Sequence, residues 1–305
     1  MKLRLFRIAA LLWLPILAIL PLYSQGQTSD EKPIINKGFF HPALDQKLTS
    51  RLMGRDMPFR ILVPTDYDEH SERRYPVIYL LHGLGGHFDN WIDKTKLTEY
   101  ARAYQFIIVT PEGNDGWYTD SVTIPNDKYE SYIVNELIPE VDKKFRTLPD
   151  RGARLIAGLS MGGYGAIKFG LKYSSLFSVV GSFSGAFDAP IRTKKSGNNW
   201  PSIPVVFGPE DSKTRAENNI FDILRGFDQQ KLASVPYIYF SCGTEDSFIT
   251  INRDFDALLV EKKIPHEYRE LPGKHAWDFW DRQVNEFLRV AAGRFDNKST
   301  SKANH

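Results

Sequence analysis

One stretch constrains this chain more than any other: Arg154-Leu-Ile-Ala-Gly-Leu-Ser160-Met-Gly-Gly-Tyr-Gly-Ala-Ile-Lys-Phe-Gly170. An apolar run leads into Gly158-Leu-Ser160-Met-Gly162, and a helical pattern follows at once. The spacing predicts a strand, a sharp turn with a serine at its apex, and a helix. To expose a hydroxyl at the tip of so tight a turn the backbone must strain, and Gly158 and Gly162 leave room where strand and helix nearly touch. The amide of Met161 then opens the helix at its positive end, beside the serine oxygen. Three fixed positions recur by chance in about one chain in ten of this length. The flanking strand and helix give the pattern its meaning.

Other apolar runs extend that unit into a fold. Pro58–Pro64 alternates as a half-buried strand, whereas Tyr75–His82 and Phe106–Pro111 are nearly continuous, as strands buried on both faces are. Further strands are expected around Gln46–Gly54, Phe177–Gly185, Tyr237–Ser241 and His266–Leu271. Helical patterns fall at Leu97–Tyr104, Tyr129–Phe145 (broken or kinked at Pro139), Ile251–Lys263 and Ala276–Ala292. Strands alternating with helices imply an α/β fold, a mostly parallel sheet covered on both faces. One domain is expected over 46–293, with an irregular insertion from Asp188 to Asp222 near the site and a disordered tail over 294–305.

The first 26 residues read as an export signal. Lys2, Arg4 and Arg7 precede an apolar stretch, Ile8–Leu22, and Ser24 and Gly26 offer small residues for cleavage. That stretch is shorter than the roughly 18 residues of a membrane span, so no stable membrane insertion is expected after cleavage. A polar leader over 27–45 follows. The chain's formal charge is +2, which becomes −1 (2 − 3) without the three basic residues of the signal, so nothing suggests nucleic acid as a partner. The single cysteine, Cys242, excludes an internal disulfide and reads as a buried, inert thiol.

A serine hydroxyl near neutral pH needs an adjacent base, and the base needs a carboxylate to orient it. In a sheet of this kind the order along the chain is nucleophile, acid, base. His41, His70, His82 and His87 precede Ser160, His266 begins a strand, and His305 lies in the tail. His275, in a loop between the last strand and the last helix, is the expected base. Glu245 and Asp246 both follow the strand through Ser241 and both qualify as the acid, with Asp188 a more distant candidate. An oxyanion would need two donors. The amide of Met161 is one, and the amide of Leu84, in the glycine loop after His82-Gly83, is placed to be the other. His82 and His87 lack a third ligand at suitable spacing and do not read as metal ligands. Trp91, Trp117 and Tyr118 lie in loops and are candidate substrate-binding aromatics.

These motifs together resemble a known family. Tyr75-Pro-Val-Ile-Tyr-Leu-Leu-His-Gly-Leu-Gly-Gly86, Asp89-Asn-Trp91, Trp117-Tyr-Thr-Asp-Ser121, Gly158-Leu-Ser-Met-Gly-Gly163, Cys242-Gly-Thr-Glu-Asp246 and Pro272-Gly-Lys-His275 are similar to those of the putative-esterase family of α/β-hydrolases. The resemblance runs from about Pro58 to Arg289, with each motif in order. It implies the α/β-hydrolase fold, a triad of Ser160, Asp246 and His275, an oxyanion hole at Leu84 and Met161, and no cofactor. Taken with the export signal, it implies a serine esterase that acts outside the cytosol on a small-molecule or polysaccharide-linked ester, short-chain acyl, acetyl or feruloyl. Acyl transfer on the same residues is an alternative, as are a serine peptidase, for which no propeller or large cap is visible, and a non-catalytic binding protein.

Overall fold

The apolar runs come together as one eight-stranded sheet. The computed structural model describes residues 43–193 and 200–302. The expected signal, most of the leader, Lys194, Lys195, Asn198 and Asn199 lie outside the described residues. The strands are β1 Leu44–Ser50, β2 Arg55–Leu62, β3 Val77–Leu81, β4 Ile107–Pro111, β5 Arg154–Leu159, β6 Val179–Phe183, β7 Tyr237–Gly243 and β8 His266–Leu271. Their order across the sheet is β1-β2-β4-β3-β5-β6-β7-β8. β1 and β2 form an antiparallel hairpin that joins the sheet through β4, and all remaining pairs are parallel.

This order places the site. The chain winds outward from β3 to β4, then returns to lay β5 on the other side of β3. The carboxyl ends of β3 and β5 therefore flank a crevice where the winding reverses, the usual ligand position in an open α/β sheet. Register brings Leu81 opposite Gly158, so the loop after β3 emerges beside Ser160. Alternation along β5 sends Ile156 into one core layer and Leu155, Ala157 and Leu159 into the other. The helix Met161–Lys172 is buried at every residue from Met161 to Leu171. That explains its weak polar face in sequence: it lies between the sheet and the segment that follows β6.

Three expectations about local structure need correction. The region Asp188–Asp222 is not an irregular insertion; its described part carries short helices at Ser202–Phe207, Lys213–Asn218 and Ile220–Arg225. Ser212 and Asn219 cap the latter two by accepting from the amides of Arg215 and Phe221. The last helix does not end at Ala292 but runs from Trp277 to Lys302. A single glycine such as Gly293 costs a helix only about 1 kcal/mol, no proline follows it, and Arg294 is held over the Tyr237 ring. Finally, Pro139 does not break the helix over Tyr129–Lys144. Proline cannot donate to the carbonyl four residues back, and the preceding turn, Ile133–Leu137, opens into π-type hydrogen bonding. Cys242 is fully buried, and burial pushes its thiol pKa well up. Among the described residues no helix is long and apolar enough to cross a membrane.

Candidate active site

Ser160 sits at the turn between β5 and its helix with φ of 52° and ψ of −116°, a conformation that side chains other than glycine's rarely adopt. Three hydrogen bonds hold the turn there: its amide donates to Phe183 O at 2.9 Å, and its carbonyl accepts from the amides of Tyr164 and Ala186. The glycines are required sterically. A Cβ on Gly158 would lie 2.5 Å from the backbone of Gly162, and one on Gly162 would lie 2.5 Å from the carbonyl oxygens of Leu81 and His82.

Strands β7 and β8 deliver two further groups. Asp246 follows β7, and its Oδ1 accepts from the amide of Phe248 at 2.9 Å. His275 follows β8 on a loop pinned to the β7 turn by the amides of Thr244 and Glu245, which donate to Leu271 O and Gly273 O. The imidazole bridges the two partners. Nδ1 is 2.9 Å from Asp246 Oδ2, and Nε2 is 3.0 Å from Ser160 Oγ. Glu245, the other candidate acid, points to solvent 3.8 Å from Lys274, and Asp188 pairs with Arg192. Burial alone would raise the Asp246 pKa, but the His275 ring, the Phe248 amide and the Ser184 hydroxyl outweigh it and hold the carboxyl below its ordinary value. Phe248 and Trp280 pack against the imidazole at 5.0 and 4.8 Å between ring centroids.

The loop after β3 is tightly organised. Gly83 O accepts from the Gly86 amide and lies 2.8 Å from His82 Nδ1, while the Gly85 amide donates to Asp115. Leu84 lies between these anchors and lines the cleft. Met161 is the first residue of its helix, where an amide has no acceptor within the helix. His82 is buried against Glu112, whose pKa falls to about 2. Burial opposes that fall, but the adjacent ring and the amides of Asn114 and Phe88 outweigh it.

Ser160 and His275 open onto a cleft of about 720 Å³, a size suited to a small ligand. Its aromatic walls are Trp200, Phe248, Trp277 and Trp280. Arg192 lies 4.4 Å over the Trp200 ring and Lys94 5.2 Å over Trp277. Sequence reasoning missed these residues. A signal existed for Trp277 and Trp280, which share a helix face immediately after His275, but none existed for Trp200.

The aromatics expected to touch substrate do not line the cleft. Trp91 is fully buried, donates to Leu81 O and packs behind Trp277. Trp117 and Tyr118 both have φ of 51°, which turns their side chains back into the core. Trp117 packs behind Trp200 and donates to Ser202 Oγ, and the Tyr118 hydroxyl donates to His82 O. Each supports the cleft from one layer behind.

A second polar cluster was not legible either. Lys168, on the buried helix, is fully enclosed and donates to Tyr118 O, Thr119 Oγ1 and Glu130 Oε2. Glu130 also pairs with Lys172 and accepts from the Tyr173 hydroxyl. Burial outweighs the ion pair at the lysine and lowers its pKa to about 8. At the carboxyl burial again opposes ionisation, but two ammonium groups prevail and the pKa falls to about 2.

The profile of the family described as Putative esterase matches residues 50–290. The chain belongs to the putative esterase family. Its class is that of a carboxylic-ester hydrolase. Within this esterase family, the chain is 27% identical over 247 residues to an acetyl esterase of Caldicellulosiruptor saccharolyticus, covering 77% of this chain and 92% of that one. It is 28% identical over 242 residues to an esterase of Mycobacterium tuberculosis, covering 71% of this chain but only 52% of the relative. The fold is shared with a ferulic acid esterase at a TM-score of 0.74 and 24% identity, covering 83% of this chain and 98% of that structure.

Proposed function

We propose that this esterase is exported and cleaves its substrate through an acyl-enzyme on Ser160, with Asp246 and His275 completing a triad. The observation that carries the reading is the imidazole, 3.0 Å from Ser160 Oγ through one nitrogen and 2.9 Å from Asp246 through the other. As Ser160 attacks the ester carbonyl, His275 Nε2 takes its proton, and Asp246 stabilises the resulting cation. Negative charge on the carbonyl oxygen is received by the amides of Leu84 and Met161, the second at the positive end of a helix. The imidazolium then protonates the departing alkoxide, and the tetrahedral intermediate collapses to the acyl-enzyme. Water repeats the sequence, with His275 first as base and then as acid, and releases the carboxylic acid and free Ser160.

Short-chain acyl, acetyl or feruloyl esters are the proposed substrates. A cleft walled by indoles and a phenyl ring suits a sugar or phenolic ring, and the family likeness to an acetyl esterase supports a small acyl group. Export is supported by the basic, apolar and small-residue order of the first 26 residues.

A phosphonate ester probe followed by intact-mass and peptide analysis tests the reading, with p-nitrophenyl acetate turnover measured alongside. One adduct on Ser160 with parallel loss of turnover is expected. Ser160→Ala should remain folded, take no adduct, and lower kcat by about 10⁴-fold or more. Retention of a tenth of wild-type activity by that variant would remove Ser160 as the nucleophile.

A further inference from the structure

Behind His275 lies a residue that neither the triad nor the cleft accounts for. Ser184 follows the last residue of β6, is fully buried, and has φ of 53°. Its amide donates to Ser241 O at 2.8 Å, which continues the pairing with β7. The left-handed conformation is strained for serine and open to glycine, yet the chain places its glycine one residue later, at Gly185. Something about the hydroxyl therefore offsets the strain. Ser184 Oγ accepts from Trp280 Nε1 at 3.2 Å. The Trp280 ring in turn meets the His275 ring at 4.8 Å and 88°, edge to face, an arrangement that favours one orientation of each ring over the others.

We propose that Ser184 is a positioning residue for the reaction: by holding the indole of Trp280 it fixes the plane of the His275 imidazole between Asp246 and Ser160. The inference rests on the triad assigned above. Ser184 is fully buried and Trp280 nearly so, so water does not readily take the place of the hydroxyl if it is removed. With the serine gone, the indole N–H loses its acceptor and the ring regains rotational freedom. His275 then spends less time with Nε2 aimed at Ser160. Because Ser184 does not line the cleft, its loss should act on the chemical step and leave binding intact.

Ser184→Gly and Ser184→Ala separate this role from a purely structural one. Glycine relieves the backbone strain and alanine retains it, but both remove the hydroxyl. The positioning role predicts that both variants lose kcat by about 10- to 100-fold, as small misplacements of a catalytic group do, with KM within about twofold of wild type. Ser184→Gly should unfold at a temperature no lower than Ser184→Ala. A Ser184→Gly enzyme with wild-type kcat would overturn the proposal, since it would show that only the backbone bend mattered. Trp280→Phe supplies the second arm. If Ser184 acts through the indole, adding Ser184→Gly to Trp280→Phe should cost less than about threefold further in kcat, because coupled groups are not additive; a full repeat of the single-variant loss would refute the route through Trp280. Phosphonate labelling of wild-type Ser160 is run first: if the wild type itself is unlabelled and inactive, the triad assignment fails, whereas a labelled wild type with an unimpaired Ser184→Gly variant defeats this inference alone.

Discussion

Glu130→Gln should destabilise the protein more than Lys168→Met, although both remove the same ion pair. The asymmetry follows from what each leaves behind. Without its carboxylate, Lys168 is a fully buried ammonium whose remaining acceptors, Tyr118 O and Thr119 Oγ1, are neutral. Without Lys168, Glu130 keeps Lys172 and the Tyr173 hydroxyl, and the main loss is the donor to Tyr118 O. Breaking a buried pair so that one charge is stranded costs about 3–5 kcal/mol, and leaving a buried carbonyl unpaired costs about 1–3. The fall of the Glu130 pKa from 4.5 to about 2 corresponds to about 3 kcal/mol, in the same range. Urea unfolding at pH 7 measures both variants, and the double variant Glu130→Gln/Lys168→Met should recover much of the Glu130→Gln loss. A pH series adds a signed test. Lys168 has a folded-state pKa of about 8, below its unfolded value of 10.5, so the unfolded chain binds the extra proton between those limits. Stability from this group therefore rises with pH across that window, by up to about 1.4 kcal/mol per pH unit. In Glu130→Gln the rise should begin at lower pH, because the folded-state lysine has lost its counter-charge. The reasoning fails if Lys168→Met is the more damaging change, or if the Glu130→Gln deficit is the same at pH 7 and pH 9.

Two further outcomes follow from the site's supports. Gly162→Ala should give little folded, active enzyme, because its Cβ would meet two backbone carbonyl oxygens at 2.5 Å; normal expression and turnover would show that the elbow can open by an ångström without loss. Glu112 has a folded-state pKa of about 2 against 4.5 unfolded, so the stability it contributes is present above 4.5 and is lost as pH falls toward 2. Glu112→Gln should cost about 3 kcal/mol near pH 7 and progressively less down to pH 3, which thermal unfolding across that range would read; a deficit independent of pH would mean the carboxylate is held only by shape.

The sequence by itself determined the elements and their chemistry. Apolar runs two faces deep marked β3, β4 and β5, and the glycines around Ser160 marked the turn, because these features depend only on neighbouring residues and on sterics close to the backbone. Chain order then selected His275 among seven histidines, since topology limits which loops can reach one end of a parallel sheet. Local pattern could not choose between Glu245 and Asp246, two adjacent carboxylates with opposite directions; the turn after β7 decided that, sending one to solvent and one behind the imidazole. Only the tertiary structure decided which aromatics face the cleft. Trp117 and Tyr118 look like loop residues in sequence, but two consecutive left-handed conformations turn them into the core, while Trp200, Trp277 and Trp280 form the wall. The Lys168–Glu130 pair and the Ser184–Trp280 contact were invisible for the same reason. They join residues 38 and 96 positions apart, and no periodicity along a chain records which distant side chain will share a buried site.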